Sequence, residues 1–388
     1  MPVRIRSDEG GDSNYRALRI LTQSVSLEPL GGIELCAVQD CEALAARGHS
    51  IDLMYGADGV FRSRYEKAGI RLEGPVSFGF DRDHPVKGLA SFVGPAQMAR
   101  SWKPDVLWLS RFEHIFWAES VAMWSRSPIV CHLHHVPNFR RTALLSHGVS
   151  HFIAVSSFIR QAWIDEGIRP ERISIVGNAL PKNEYPRGGV HERARTRSEL
   201  GIPPDIPVVL YYGRISEEKG VGTLLDSWAG LESRGAEALL LLVGSPSPLE
   251  DPEFNRKLGE LNSKNIRWFP MQSNVIPFLH AADIVVFPTW ANEAFGRVVI
   301  EGMATGRPVV ASRTGAVPEI LSGPMERFTV EPRNADDLEA GIASLLDWRT
   351  REPELESACV DWVETRFPFD EHVTRIEQVL LKFSRHRG

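Results

Sequence analysis

One stretch constrains this chain more than any other: residues 284–320, IVVFPTWANEAFGRVVIEGMATGRPVVASRTGAVPEI. An apolar run ends at Pro288, a polar loop follows, a helical pattern runs from about Phe295 to Ala304, and a second apolar run starts at Pro308. Strand, loop, helix and strand in that order are the grammar of a parallel sheet with crossover helices, which predicts an α/β fold. Glu293 stands just before the predicted helix and Glu301 inside it, eight positions on. Between them, the amides of Ala294, Phe295 and Gly296 fall at the positive end of the helix, where orphan N–H groups suit an anionic or hydroxyl-rich ligand. Carboxylate acceptors beside amide donors offer both halves of what a polyhydroxylated ligand needs. The bland alternative for Glu301 is a solvated helix face, where most helical glutamates lie.

A length of 388 residues exceeds one ordinary core and predicts two domains. The net charge of -6, with no lysine or arginine run, speaks against a nucleic-acid binder. No apolar stretch approaches the roughly 20 residues that span a bilayer, and the leader MPVRIRSDEGGDSNYR lacks a signal-peptide core. Cys36, Cys41, Cys131 and Cys359 show no paired spacing, which predicts reduced thiols and a cytoplasmic location.

In the first half, a strand at 17–24, the loop Leu27–Gly32, a helix from Ile33 to about Arg47 and a strand at 50–55 make a Rossmann-type opening. It lacks the G-x-G-x-x-G fingerprint of dinucleotide enzymes. Gly31 and Gly32 read either as a ligand-approach turn or as a plain tight turn. Residues 56–100 are the least legible: Phe61, Tyr65 and Ala68 share a helical face decorated by Arg62, Arg64, Lys67 and Arg71, a pattern of an ordinary surface helix that also allows peripheral membrane contact. Asp81-Arg82-Asp83 has the D-x-D form of a metal site but reads as surface chemistry. Phe112, Phe116, Trp117 and Trp124 read as core, and the following strand runs out into His132, His134 and His135. Three histidines so close admit a zinc reading, which lacks the aspartate of the corresponding hydrolase pattern. Residues 181–196 read as a linker.

In the second half, the apolar strand 207–213 leads directly into Arg214-Ile-Ser-Glu-Glu-Lys219-Gly220. Ligands of open parallel sheets bind beyond the carboxyl ends of strands, so Arg214 and Lys219 fall where two cations can flank a diphosphate. Two solvated surface cations are the alternative. Gly244 follows the next strand in the same way.

Three phrases together carry a resemblance. EAFGRVVIE with GMATGRPVVAS and GAVPEI resembles the E-x7-E segment of the retaining glycosyltransferases of family 4, GRISEEKG resembles their G-R-x4-K-G phrase, and PLGGIE…LAARGHSIDLMY their first βαβ unit. The resemblance implies a GT-B fold, two Rossmann-like domains facing across a cleft. It implies a first domain over 1–185, joined by a closing helix over 367–388, and a donor-binding domain over 195–366. It further implies that Arg214 and Lys219 hold the diphosphate, that Glu293 faces the transferred sugar, that Ala294, Phe295 and Gly296 bind its hydroxyls, and that Glu301 holds the ribose. His134 would stand near the sugar, Gly31 and Gly32 near the phosphates or acceptor, Gly244 in the binding-edge loop of its strand, and the backbone around Met271 at the base. Arg297 would add a cation near the phosphates or face solvent. Ala179 departs from the family's usual glycine. The activity implied is metal-independent, retaining transfer of a hexose-type sugar from a nucleotide diphosphate donor, UDP before GDP, to a small-molecule, glycan or lipid-linked acceptor. A nucleotide-sugar epimerase or hydrolase on the same fold, and a non-catalytic nucleotide-sugar binding protein, are the rival readings.

Overall fold

A computed structural model describes residues 16–81, 83–139, 141–246 and 265–385. The leader 1–15 and Arg82 of the D-x-D lie outside the described residues. Strands β1 (Arg19–Ser26), β2 (Ser50–Ala57), β3 (Arg71–Glu73), β4 (Val106–Leu109), β5 (Ile129–Leu133), β6 (Val149–Ala154) and β7 (Ile173–Ile175) pair in parallel in the order β3-β2-β1-β4-β5-β6-β7. A second parallel sheet uses β8 (Val208–Tyr212), β9 (Leu239–Val243), β10 (Ile266–Phe269), β11 (Ile284–Phe287), β12 (Val309–Ser312) and β13 (Thr329–Val330), in the order β10-β9-β8-β11-β12-β13. Both sheets therefore reverse direction beside their first strand, β1/β4 and β8/β11, and each reversal opens a crevice at the carboxyl ends of the strands. The α/β, GT-B architecture read from the sequence is the one observed.

The central strands are apolar because helices cover both faces. VLWL, IVCHL, VVLYY, LLLLV and IVVF are buried at every position. Each fully buried aliphatic side chain contributes about 1.5–3 kcal/mol relative to exposure. The four cysteines are free and buried. Beneath the second sheet, Asp283 accepts from Arg197, Arg193, Arg349 and the amide of Val208, a buried carboxylate neutralised on all sides. Burial would raise its pKa, but the three guanidinium groups outweigh it and hold the carboxyl below the usual range.

Several local expectations are corrected. The helix of the opening stretch starts at Arg297, because Gly296 adopts φ 94° and serves as its N-cap. The stretch 190–196, read as the end of a linker, belongs to the helix Val190–Glu199, which packs on the helix Ile276–Ala281 of the second lobe. Arg71 lies in β3, paired with Asp52, rather than on the helix Arg62–Lys67. Phe112 and Trp117 are buried, whereas Trp124 is 38% exposed.

The chain crosses between lobes twice, and the crossings bridge at Leu180 and Pro368. The last helix, Phe369–Phe383, carries Val373, Ile376 and Leu380 into the first lobe's core. Its polar anchors are His372 on Asp40 and on Gly177 O, and Glu377 on Arg47 and His49. Among the described residues, no helix is long and apolar enough to cross a membrane.

Candidate functional site

A cavity of about 610 Å³ lies between the lobes, where the carboxyl ends of β1, β4, β5, β8 and β11 face one another. It is lined from the first lobe by Gly31, Gly32, Glu34, Arg111, His134 and Asn178. From the second lobe come Tyr212, Arg214, Lys219, Glu293, the Ala294–Gly296 turn and Arg297.

Each lining residue is placed by its element. Gly31 and Gly32 open the helix Gly32–Ala46 directly after β1, so the helix N-terminus points at the cavity. Arg214 follows β8, and the Tyr211 hydroxyl fixes this turn by donating to Arg214 O at 2.6 Å. Lys219 Nζ lies 2.8 Å from Glu293 Oε2. The turn carrying Glu293 is tied to the first lobe, since Ser156 Oγ donates to Ala294 O at 2.7 Å.

His134 lies at the end of β5, and its ring centroid is 4.2 Å from that of His132. Burial, followed by the nearby charges of His135 and Arg111, lowers its pKa to about 3, so the imidazole is neutral at ordinary pH. His135 turns away to pair with Glu113 at 2.8 Å. The three imidazoles thus do not converge, and among the described residues no group of three or more His, Cys, Asp or Glu is arranged to hold a metal ion. Asp81 acts as a turn cap, accepting from the amides of Asp83 and His84.

Not every sequence-predicted residue reaches the cavity. Glu301 is 5% exposed and lies behind the wall, its carboxylate accepting from Tyr212 Oη at 2.9 Å and Arg297 Nε at 3.0 Å. Gly244 is also outside the lining; a Cβ there would sit 1.8 Å from Gly213 O, so its smallness serves the contact between the ends of β8 and β9. Met271 is exposed, and its amide donates to Ser245 Oγ at 3.2 Å beside Gly244.

Conversely, the cavity holds residues to which the sequence reading gave no role, among them Arg111 and the Glu34 that ends the PLGGIE phrase. Glu34 and Arg111 form an ion pair at its first-lobe wall. Arg111 follows β4 as Arg214 follows β8, so the rule about strand ends applies to both; the pairing across 77 positions is visible only in three dimensions.

Residues 30–183 match the family model described as Glycosyltransferase Family 4, and residues 192–359 the model described as Glycosyl transferases group 1. A Salmonella typhimurium lipopolysaccharide 1,2-N-acetylglucosaminetransferase is 30% identical over 215 residues, 53% of this chain and 56% of that protein. A Corynebacterium efficiens D-inositol 3-phosphate glycosyltransferase is 35% identical over 185 residues, 46% of this chain and 43% of that protein. The chain spans about half the length of the curated relatives it matches. Among solved structures, Anabaena HepE in complex with UDP and glucose superposes with a TM-score of 0.80 at 24% identity, covering 94% of this chain and 99% of that one. A Rickettsia africae glycosyltransferase gives a TM-score of 0.81 at 20% identity, covering 95% and 99%. At these identities the two structures speak for the fold.

Proposed function

Both lobes of this chain match glycosyltransferase domains in the GT-B arrangement, and from that premise we propose that it transfers a hexose-type sugar, with retention, from a nucleotide diphosphate donor to a hydroxyl-bearing acceptor. One observation carries the reading: Arg214, Lys219, Glu293, the Ala294–Gly296 amides and His134 line one cavity between the lobes. UDP is preferred to GDP; the UDP bound to HepE supports that choice. A hydroxyl-rich acceptor accords with the lipopolysaccharide and inositol phosphate in the relatives' names.

In the proposed reaction, the bond from the anomeric carbon to the diphosphate oxygen breaks and its electron pair leaves with the phosphate. The acceptor oxygen bonds to that carbon from the same face, and its proton passes to a phosphate oxygen. Arg214 and Lys219 neutralise the departing charge, a role open to preorganised side-chain cations and one that needs no metal. Glu293 orients the sugar and supports positive charge at its anomeric carbon, and the three amides hold its hydroxyls. His134, neutral, accepts or donates one hydrogen bond to the sugar without titrating. Glu301 holds the ribose once Tyr212 or Arg297 gives up one carboxylate oxygen. Closing the lobes over the donor excludes water and strengthens each of these fields.

The acceptor enters from the first lobe, where Glu34 and Arg111 supply an acceptor and a donor of hydrogen bonds. Exposed Val86, Leu89 and Val93 with Lys87, on the same lobe, support peripheral contact with a membrane carrying a lipid-linked acceptor. The location proposed is cytoplasmic.

Thermal shift across UDP- and GDP-sugars identifies the donor, because a ligand of the native state raises apparent stability by mass action. Transfer is then measured with candidate acceptors, and the product's anomeric configuration is read by NMR. Nucleotide release from donor alone is expected to be slow until acceptor is added. Rapid release without acceptor would instead identify a hydrolase, interconversion of donor sugars an epimerase, and binding without turnover a carrier.

A further inference from the structure

Arg297 is the first residue of the helix Arg297–Ala304, immediately after the turn whose amides line the cavity. Its side chain is only 9% exposed, yet it lines the same cavity. A guanidinium presents five N–H groups in a rigid fork, and their partners can be counted. Nε donates to Glu301 at 3.0 Å, within its own helix. Nη1 reaches into the first lobe, 3.2 Å from Cys36 Sγ and 3.2 Å from Gln39 Oε1, both on the helix Gly32–Ala46. Nη2 is buried and has no hydrogen-bond partner among the described residues. A thiol and an amide oxygen are neutral acceptors, so Glu301 is the anionic partner among these contacts, and Nη2 is the arm of the fork left unmatched.

Gly32 is shaped to this arrangement. A Cβ there would lie 3.3 Å from Arg297 Cδ, tighter than ordinary side-chain contact, so the absence of a side chain lets the arginine pass the start of the first-lobe helix. Two helix N-termini, Gly32–Ala46 and Arg297–Ala304, meet the same cavity from opposite lobes, and Arg297, whose Nη2 is buried without a partner, is among the residues of its wall.

We propose that Arg297 is a positioning residue that couples binding of an oxyanion in the cavity to the seating of one lobe on the other. The anion is the diphosphate of the donor, so the inference rests on the donor reading above. A phosphate oxygen accepts from Nη2 once a small shift of the guanidinium brings that buried nitrogen to the cavity, and so fixes the guanidinium plane. Because Nη1 belongs to the same plane, the contact with Cys36 and Gln39 is fixed with it. The second lobe's ligand is thereby felt by the first lobe's helix. By linkage, whatever the seated lobes add to anion affinity the anion adds to the seating.

Inorganic pyrophosphate is the probe, titrated calorimetrically into the full chain, with hydrogen exchange followed over residues 32–46. In the wild type, pyrophosphate is expected to bind and to slow exchange in that helix. Arg297→Gln should bind about tenfold more weakly, the size of one charge-assisted hydrogen bond, and show no slowing. Arg297→Lys keeps the charge but not the fork; it should retain most of the affinity and still fail to slow the helix. Melting curves without ligand establish that each variant is folded, and should the glutamine variant not fold, the lysine variant carries the test. Equal affinity and equal slowing in wild type and variants would overturn the role of Arg297 and leave the donor reading standing. Weaker binding in Arg297→Gln with the slowing retained would overturn the coupling alone. No binding of pyrophosphate to the wild type would remove both the coupling and the donor reading.

Discussion

Lys219 Nζ lies 2.8 Å from Glu293 Oε2, although the two residues are 74 positions apart and follow different strands of the second sheet. The cation assigned to the diphosphate and the acid assigned to the sugar are therefore one ion pair before any ligand arrives. On the proposed function, a donor entering this cavity would divide the pair, drawing Lys219 to phosphate and leaving Glu293 to the sugar. Lys219→Ala and Glu293→Gln should each lower kcat by about 10²–10³, with melting temperatures near that of the wild type because both side chains are partly exposed. As members of one network they should not add: the double variant is expected to lose less than the product of the single losses. Initial rates for the four proteins of the cycle measure this, and strict multiplicativity would mean that the pair is not a functional unit.

Gly315 supports Glu293 from behind. Its φ is 54°, and a Cβ there would stand 2.1 Å from Glu293 O, while the next amide, Ala316 N, donates to that oxygen at 2.9 Å. Gly315→Ala must therefore push the Glu293 backbone out of place and also accept a left-handed residue costing about 1–2 kcal/mol. The expected outcome is a fall in melting temperature together with at least about a tenfold loss of kcat, although residue 315 lies outside the cavity wall. Unchanged turnover in a folded Gly315→Ala protein would show that the position of Glu293 tolerates this displacement.

The sequence was legible where one physical rule governs many residues. Apolar runs such as VVLYYG and IVVFP read as buried parallel strands, and residues just past the carboxyl end of such a strand face the crevice, the rule that singled out Arg214 with Lys219; Glu293 came from the loop framed by two carboxylates and His134 from the family resemblance, and all four line the cavity. It was illegible where two distant segments decide jointly. Glu301 sits at the expected spacing, but only the fold reveals that Tyr212 and Arg297 already hold its carboxylate. Gly244 looked like a ligand loop because a glycine after a strand has two uses, and here close packing on Gly213 is the one served. The helix Val190–Glu199 was hidden because a segment of Arg, Glu and His reads as linker until its buried Thr196 and Arg197 are seen.

His372 gives the closing helix a pH dependence of known sign. Its Nε2 lies 2.9 Å from Asp40 Oδ1 and its Nδ1 2.8 Å from Gly177 O, so both nitrogens face acceptors and the imidazolium is favoured. Burial opposes the charge, but Asp40 outweighs it and raises the pKa above the ordinary 6.5. A folded pKa above the unfolded one contributes stability that is complete below about pH 6.5 and fades as pH climbs through the folded value. The stability difference between wild type and His372→Gln should therefore be larger at pH 5.5 than at pH 8.5. Denaturant melts at the two pH values measure it, and a difference that grew with pH would contradict the assignment of the charged form.

Glu319 makes a second contact between the lobes, separate from that of Arg297. It stands in the helix Val317–Ile320 of the second lobe, and its carboxylate accepts from the amides of Ser157 and Phe158, at 2.8 and 2.7 Å, at the start of the first-lobe helix Ser157–Asp165. An anion on two orphan amides at the positive end of a helix is worth about 0.5–2 kcal/mol, and here that energy is spent between lobes rather than within one. Glu319→Gln keeps the shape and removes the charge. Because the carboxylate is outside the cavity lining, donor contacts are untouched, and the cost should fall on the alignment of the two walls. We expect kcat to drop about tenfold with donor KM changed less than threefold, and added salt to lower the wild type's rate more than the variant's, since the charge that salt screens is gone from the variant. Steady-state kinetics at two ionic strengths decide the matter: a variant with unaltered kcat would show that this contact joins the lobes without aligning them.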